Sequence, residues 1–102
     1  MAMIARFSFD VHFGKKADLL KVMKKWESME RDLGFPKPEV LIGSIGVPES
    51  RVELNHRFAS LAALEATWAK LGDPRMAEFQ REIGPLIVPG SHRWDILRIQ
   101  EA

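Results

Sequence analysis

Residues 51–79 leave this chain few ways to fold, because strand, capped helix, stop and second capped helix follow one another without a break. Residues 51–58, Arg-Val-Glu-Leu-Asn-His-Arg-Phe, alternate polar and apolar positions as a half-buried strand does. Ser60 stands where an N-cap is needed for a helix bearing Leu61, Leu64, Trp68 and Leu71, and Gly72 ends that helix. Asp73-Pro74 opens another, with Met76, Phe79 and Ile83 at helical spacing.

The rest of the chain completes the pattern. In residues 5–13, Phe7, Phe9, Val11 and Phe13 alternate with Arg6, Ser8, Asp10 and His12, which predicts a strand with its aromatic side packed under helices and its polar side facing a cavity. Gly14 breaks it. Residues 15–33 place Leu19, Val22, Met23, Trp26, Met29 and Leu33 on one stripe of a single helix, which Gly34 stops and Pro36 and Pro38 keep from resuming. Residues 40–47 read as a second strand and residues 91–99 as a fourth. Gly43-Ser-Ile-Gly46 lacks the lysine of a phosphate-binding loop and reads as a bulge or a close backbone contact. The order is βαββαβ with a short extra helix before the last strand. That is the ferredoxin-like α+β class: a four-stranded antiparallel sheet with helices on one face, in a single domain over residues 1–102.

Two helices cover one face of such a sheet. Val52, Leu54, Trp94 and Ile96 are more than that cover accommodates, so the sequence predicts a homodimer through the open sheet face, closing a dimeric α/β barrel. Composition bounds the partners. With 15 Lys and Arg against 14 Asp and Glu, the chain has no general attraction for nucleic acid, and no apolar run approaches the roughly 20 residues that cross a bilayer. The N-terminus lacks a basic segment followed by an apolar one, so no secretory signal is expected. Zero cysteines exclude thiolate metal sites and fit a reducing cytoplasm.

The chain resembles the NIPSNAP family of dimeric α/β-barrel proteins, most of all in its C-terminal half. That family's third strand ends aromatic, any residue, aromatic, then runs into a small polar residue and leucine; His56, Phe58, Ser60 and Leu61 stand there. Its Asp-Pro followed by an aromatic and then phenylalanine is matched by Asp73, Pro74, Met76 and Phe79. The alternating glutamate, arginine and tyrosine of the family's first strand are replaced by Ala5, Phe7 and Phe9, so no role of those polar groups carries over. The resemblance implies the fold more than an activity, since the wider superfamily contains haem-degrading and cofactor-free monooxygenases, isomerases and proteins with no assigned activity.

Among residues that could carry chemistry, His56 occupies a slot that the family fills with a large aromatic, and reads either as a cavity base or as a buried structural histidine. Asp10 and His12, with Arg98 expected on the neighbouring strand, would give an acid, a base and an anion clamp in one cavity; the alternative is a polar sheet face with cross-strand ion pairs. His12 is expected near His92, and His56 toward the other end of the sheet. No His-x-His or His-Glu-x-x-His pattern supports a metal, and no cofactor is implied by a motif. Trp26 and Trp68 sit on helix stripes as core, whereas Trp94 and Phe58 are placed to line a cavity. The site predicted is therefore His56, His12 and Asp10 as catalytic candidates with Phe58, Trp94 and Arg98 around a small apolar or aromatic ligand. Three classes compete: such a ligand-binding protein, a monooxygenase that is cofactor-free or uses haem, and a structural dimer with no ligand. An RNA-binding sheet is disfavoured because strand three lacks the Lys/Arg-Gly-Phe core of that module.

Overall fold

A computed structural model describes residues 1–100 of the chain. The elements are β1 (Met3–Asp10), α1 (Lys16–Lys25), α2 (Glu27–Asp32), β2 (Glu39–Ile42), β3 (Arg51–Phe58), α3 (Leu61–Trp68), α4 (Pro74–Ile83), a single 3-10 turn (Gly84–Leu86) and β4 (Arg93–Arg98). The strands form one antiparallel sheet in the order β2-β3-β1-β4, as the βαββαβ reading requires. None of the helices is long and apolar enough to cross a membrane among the described residues.

Register decides which side chains share a face. Ala5 pairs with His56 and Ile96, Phe7 with Leu54 and Trp94, and Phe9 with Val52. Directly opposed residues project from the same side of a sheet, so all of these point one way. Every helix packs there. Leu19 of α1 and Ile83 of α4 close over Phe9, Val52 and Leu54, while Leu64 of α3 packs with Ala5 and Phe58. Phe9, Leu19 and Val52 are fully buried, and burying each such side chain contributes about 1.5–3 kcal/mol. The opposite face carries Arg6, Glu53, Asn55 and Asp95 with Leu41 and Leu97, and no helix covers it.

Four sequence expectations are corrected. Val52, Leu54, Trp94 and Ile96 all lie on the helix-bearing face, where the helices cover Val52 and Leu54 and leave Trp94 and Ile96 exposed. They are therefore not the apolar surface of the open face that the sequence reading made them. Phe13 is not packed at all, because β1 ends at Asp10 and the chain has already turned away. The helix over 15–33 is two helices. Trp26, at φ −97° and ψ 4°, ends α1, and Glu82 of α4 pins the break by accepting hydrogen bonds from Trp26 Nε1 at 2.7 Å and Lys25 Nζ at 2.6 Å. The second strand stops at Ile42 rather than residue 47, because Gly43 presses on the returning chain; a Cβ there would lie 1.8 Å from the Pro48 carbonyl oxygen.

The caps stand as the sequence predicts. Ser60 Oγ accepts from the Ala63 amide at 3.1 Å, and Asp73 Oδ1 accepts from the Arg75 amide at 2.9 Å with Pro74 in the first turn. Asp73 also holds the Arg75 guanidinium, which keeps its carboxyl below the usual range. Asp73→Ala is expected to lower the urea midpoint while leaving Asp73→Asn closer to wild type, since Asn still caps. An unchanged midpoint for the alanine variant would show that this cap does not hold α4.

Candidate functional site

Between the helices and the centre of the sheet lies a cavity of about 1050 Å³, with Phe35 among its lining residues. Its floor is Phe7, Leu54, His56 and Trp94 from three adjacent strands; its walls include Met23, Met76 and Phe79. Glu27, Glu30, Lys24, Arg31 and Lys37 ring part of it, with Lys37 Nζ 3.7 Å from a Glu27 carboxylate oxygen. An apolar chamber with a few polar groups is the usual build of a small-molecule site.

Trp94 organises the floor. It stacks on Phe7 with ring centroids 4.6 Å apart, meets Trp68 edge-on at 5.4 Å and lies 6.5 Å from His56. His56 is only 4% exposed, and neither ring nitrogen has a hydrogen-bond partner among the described residues. Burial pushes its pKa down to about 4, against a weaker upward pull from the Ala5 backbone. The imidazole is therefore neutral near pH 7, with one nitrogen donating and the other accepting. Trp68 Nε1, behind Trp94, is likewise buried and unpaired.

Of the residues singled out from sequence, His56 and Trp94 line this cavity. Phe58 is buried in the packing of α3 instead. Arg98 faces a separate cleft of about 490 Å³ with Met3, Ser60 and Ile96. Asp10, at the other end of β1, accepts from Ser50 Oγ at 3.2 Å and ties β3 to β1. His12 is exposed in the turn after β1, its amide donating to the Leu86 carbonyl at 2.9 Å. The predicted grouping of Asp10, His12 and Arg98 in one cavity is thus not formed, because the register sets Arg98 opposite Met3 and Asp10 opposite Arg51. The polar side of β1 faces outward and its aromatic side supplies the floor. His92, assigned from sequence to the far end from His56, shares the cavity with it.

Glu30 was missed. It stands four residues after Trp26 and seven after Met23, in the middle of the apolar stripe, and an acid at that position is the signal that could have found it. Burial, with the charge of Glu27 adding to it, pushes its carboxyl up to about 7. No group of His, Asp, Glu or Cys able to hold a metal ion is present among the described residues.

No family model and no curated protein sequence matches the chain. Solved structures do. A NIPSNAP family protein from Agrobacterium tumefaciens is 23% identical with a TM-score of 0.79, over 99% of this chain and 95% of that one. A NIPSNAP-like domain protein from Burkholderia xenovorans is 17% identical with a TM-score of 0.81, over 97% and 85%. SnoaB, a cofactor-independent oxygenase from Streptomyces nogalater, is 12% identical with a TM-score of 0.72, over 99% and 95%. At these identities the likeness is one of fold, and in its fold the chain resembles the NIPSNAP family that its strand-three and Asp-Pro residues point to.

Proposed function

We propose that the protein binds a small, largely apolar or aromatic molecule in the cavity between helices and sheet, with His56 as its polar anchor. The observation that carries this reading is the pair of unpartnered nitrogens on a side chain that is almost wholly buried and forms part of the cavity floor. A buried polar group left without a partner costs about 1–3 kcal/mol, which a ligand hydroxyl or carbonyl would recover on a ring turned to bring one of its enclosed nitrogens to the chamber. The stacked Trp94 and Phe7 rings offer a flat apolar surface beside it. We also propose a cytoplasmic homodimer joined through the open sheet face. Leu41 and Leu97 are exposed there, among the ion pairs Arg6 with Glu53 and Arg93 with Asp95, and such a mixed surface suits a partner sheet.

Native mass spectrometry of the purified protein at micromolar concentration tests both parts. The expected spectrum shows a dimer carrying a retained small molecule that is released on unfolding. A bare dimer that takes up no apolar probe would support a purely structural role, and a monomer would remove the sheet-face interface. A second reading, oxygenation of the bound molecule without a cofactor, draws support from the neutral imidazole in an apolar chamber and from the fold shared with SnoaB. It would show as ligand-dependent oxygen consumption. Haem, were it bound here, would be held by His56 or His92, the two histidines that line the cavity, and would supply the oxygen activation.

A further inference from the structure

The smaller cleft, of about 490 Å³, lies on the helix-bearing side of the sheet, at the end where Met3 pairs with Phe58 and Arg98. Alternation along the strands sets which side chains point to that side, and all of them are apolar except two: His56 and, at the end of β4, Arg98. The Arg98 guanidinium has no hydrogen bond or ion pair among the described residues. Arg93, on the outward side of the same strand, holds Asp95 at 2.9 Å. Around Arg98 the cleft is walled by Met1, Met3, Leu61 and Ile96, and bordered by Ser60 at the start of α3. Met1, Leu61 and Ile96 are exposed, so this apolar wall is bare. Ser60 Oγ accepts from the Ala63 amide at 3.1 Å, and its own proton has no acceptor among the described residues. We propose that this cleft binds a short aliphatic monocarboxylate, with the Arg98 guanidinium and the Ser60 hydroxyl holding the carboxylate and the chain covering Met3, Leu61 and Ile96.

The chemistry of the lining selects the ligand class. A guanidinium offers two parallel N–H donors that match the two oxygens of a carboxylate, and such charge-assisted bonds are the strong ones. With no acid of the chain beside it, Arg98 leaves that fork open to an acid from solution. The Ser60 oxygen is already held by the Ala63 amide, which leaves its hydroxyl to act as a donor, and a carboxylate accepts from both groups. The rest of the wall sets the shape of the body. It contains two thioethers and two aliphatic side chains and no aromatic ring, and methionine adapts to a flexible chain. The larger chamber, with Trp94 stacked on Phe7, presents a flat surface instead. Each methylene of an alkyl chain laid over Met3, Leu61 and Ile96 leaves water and covers apolar surface that the fold leaves bare. The cleft and the chamber have no lining residue in common, so the two sites stand or fall separately.

Titration of the isotope-labelled full chain with hexanoate, followed through its amide chemical shifts by NMR, tests the proposal, with n-hexanol as the uncharged probe of equal length. Hexanoate is expected to shift the Met3, Leu61, Ile96 and Arg98 amides in a saturable way. Hexanol should bind there about tenfold more weakly, the loss expected when a charge-assisted bond is missing. Arg98→Gln should lower hexanoate affinity to that of hexanol and leave hexanol binding unchanged, and its amide spectrum reports directly that the variant is folded. Arg98→Lys keeps the charge without the fork and should fall between the two. Added salt should weaken hexanoate and spare hexanol. Saturable shifts confined to the Phe7, Leu54 and Trp94 amides would put hexanoate in the larger chamber and overturn this cleft as its site. Equal affinity for the two probes, or unchanged hexanoate affinity in Arg98→Gln, overturns the guanidinium as the clamp and the proposal with it. Absence of any saturable shift overturns it too, and makes Arg98 a solvated residue at a strand end.

Discussion

His56→Phe should leave the protein folded, at least as stable as wild type at neutral pH, and unable to retain its ligand. The ring sits 4% exposed with both nitrogens unpaired, so replacing it with an apolar ring removes an unsatisfied donor and acceptor. That change is worth about 1–2 kcal/mol in favour of the folded state, because leaving such groups buried costs about 1–3. The cavity beside it takes up the extra volume, and the variant matches the aromatic that the NIPSNAP pattern carries there. Binding has the opposite stake, since His56 is the polar group at the centre of the floor. Loss of ligand in native mass spectrometry with an unchanged or higher melting temperature is the expected pair of results. A variant that loses several kcal/mol and still binds would make His56 a structural residue and shift the anchor to Trp94 and His92.

The second large effect is a hidden pair of opposed pH dependences. The folded-state pKa of His56 is about 4, below its ordinary 6.5, so its contribution to stability is complete above 6.5 and is lost as pH falls toward 4. Glu30, at about 7, lies above its ordinary 4.5, so its contribution is complete below 4.5 and is lost as pH rises through 7. Between 4.5 and 6.5 the two slopes oppose each other, and the contribution of this pair to wild-type stability should be nearly flat there. Removing either group exposes the other. Glu30→Gln should lose about 2 kcal/mol on acidification across that window, from the shift at His56. His56→Phe should gain about 1–2 kcal/mol over the same change, the smaller figure allowing for solvent screening at half-buried Glu30. Urea unfolding at several pH values reads both, with wild type as the baseline from which the two variants should diverge in opposite directions. Parallel curves for the two variants would contradict the paired environments.

The fold was legible because its signals are local. Alternation in β3, the Ser60 and Asp73 caps and the left-handed Gly34 each specify a backbone geometry without help from the rest of the chain. The site was only half legible because a cavity is a relation between elements. His56 and Trp94 came through as polar or aromatic residues at strand positions that needed explaining. Arg98 and Asp10 did not come together, since placing them depends on the register of β1 against its neighbours, and neither strand's own pattern fixes that register. The polar side of β1 was assigned to a cavity when no sequence rule said on which side of the sheet the cavity would open. Glu30 stood in plain view on an apolar stripe, and what hid it was reading the stripe for its hydrophobic members alone.

The contact between Gly43 and the Pro48 carbonyl has a bearing on how this sequence can drift. Pro48 accepts from the Arg51 amide, Ser50 holds Asp10, and the Asp10 carbonyl accepts from Val88, which lines the cavity rim with Pro89 and Gly90. A side chain at 43 must displace the first member of that series, whereas Ile45, two residues on, stands wholly in solvent. Neighbouring positions of one hairpin thus sit at opposite extremes of tolerance: one is closed to every side chain, and the other is constrained by nothing in the fold. Inheritance of the cavity rim is thereby linked to a glycine on the outermost edge of the sheet.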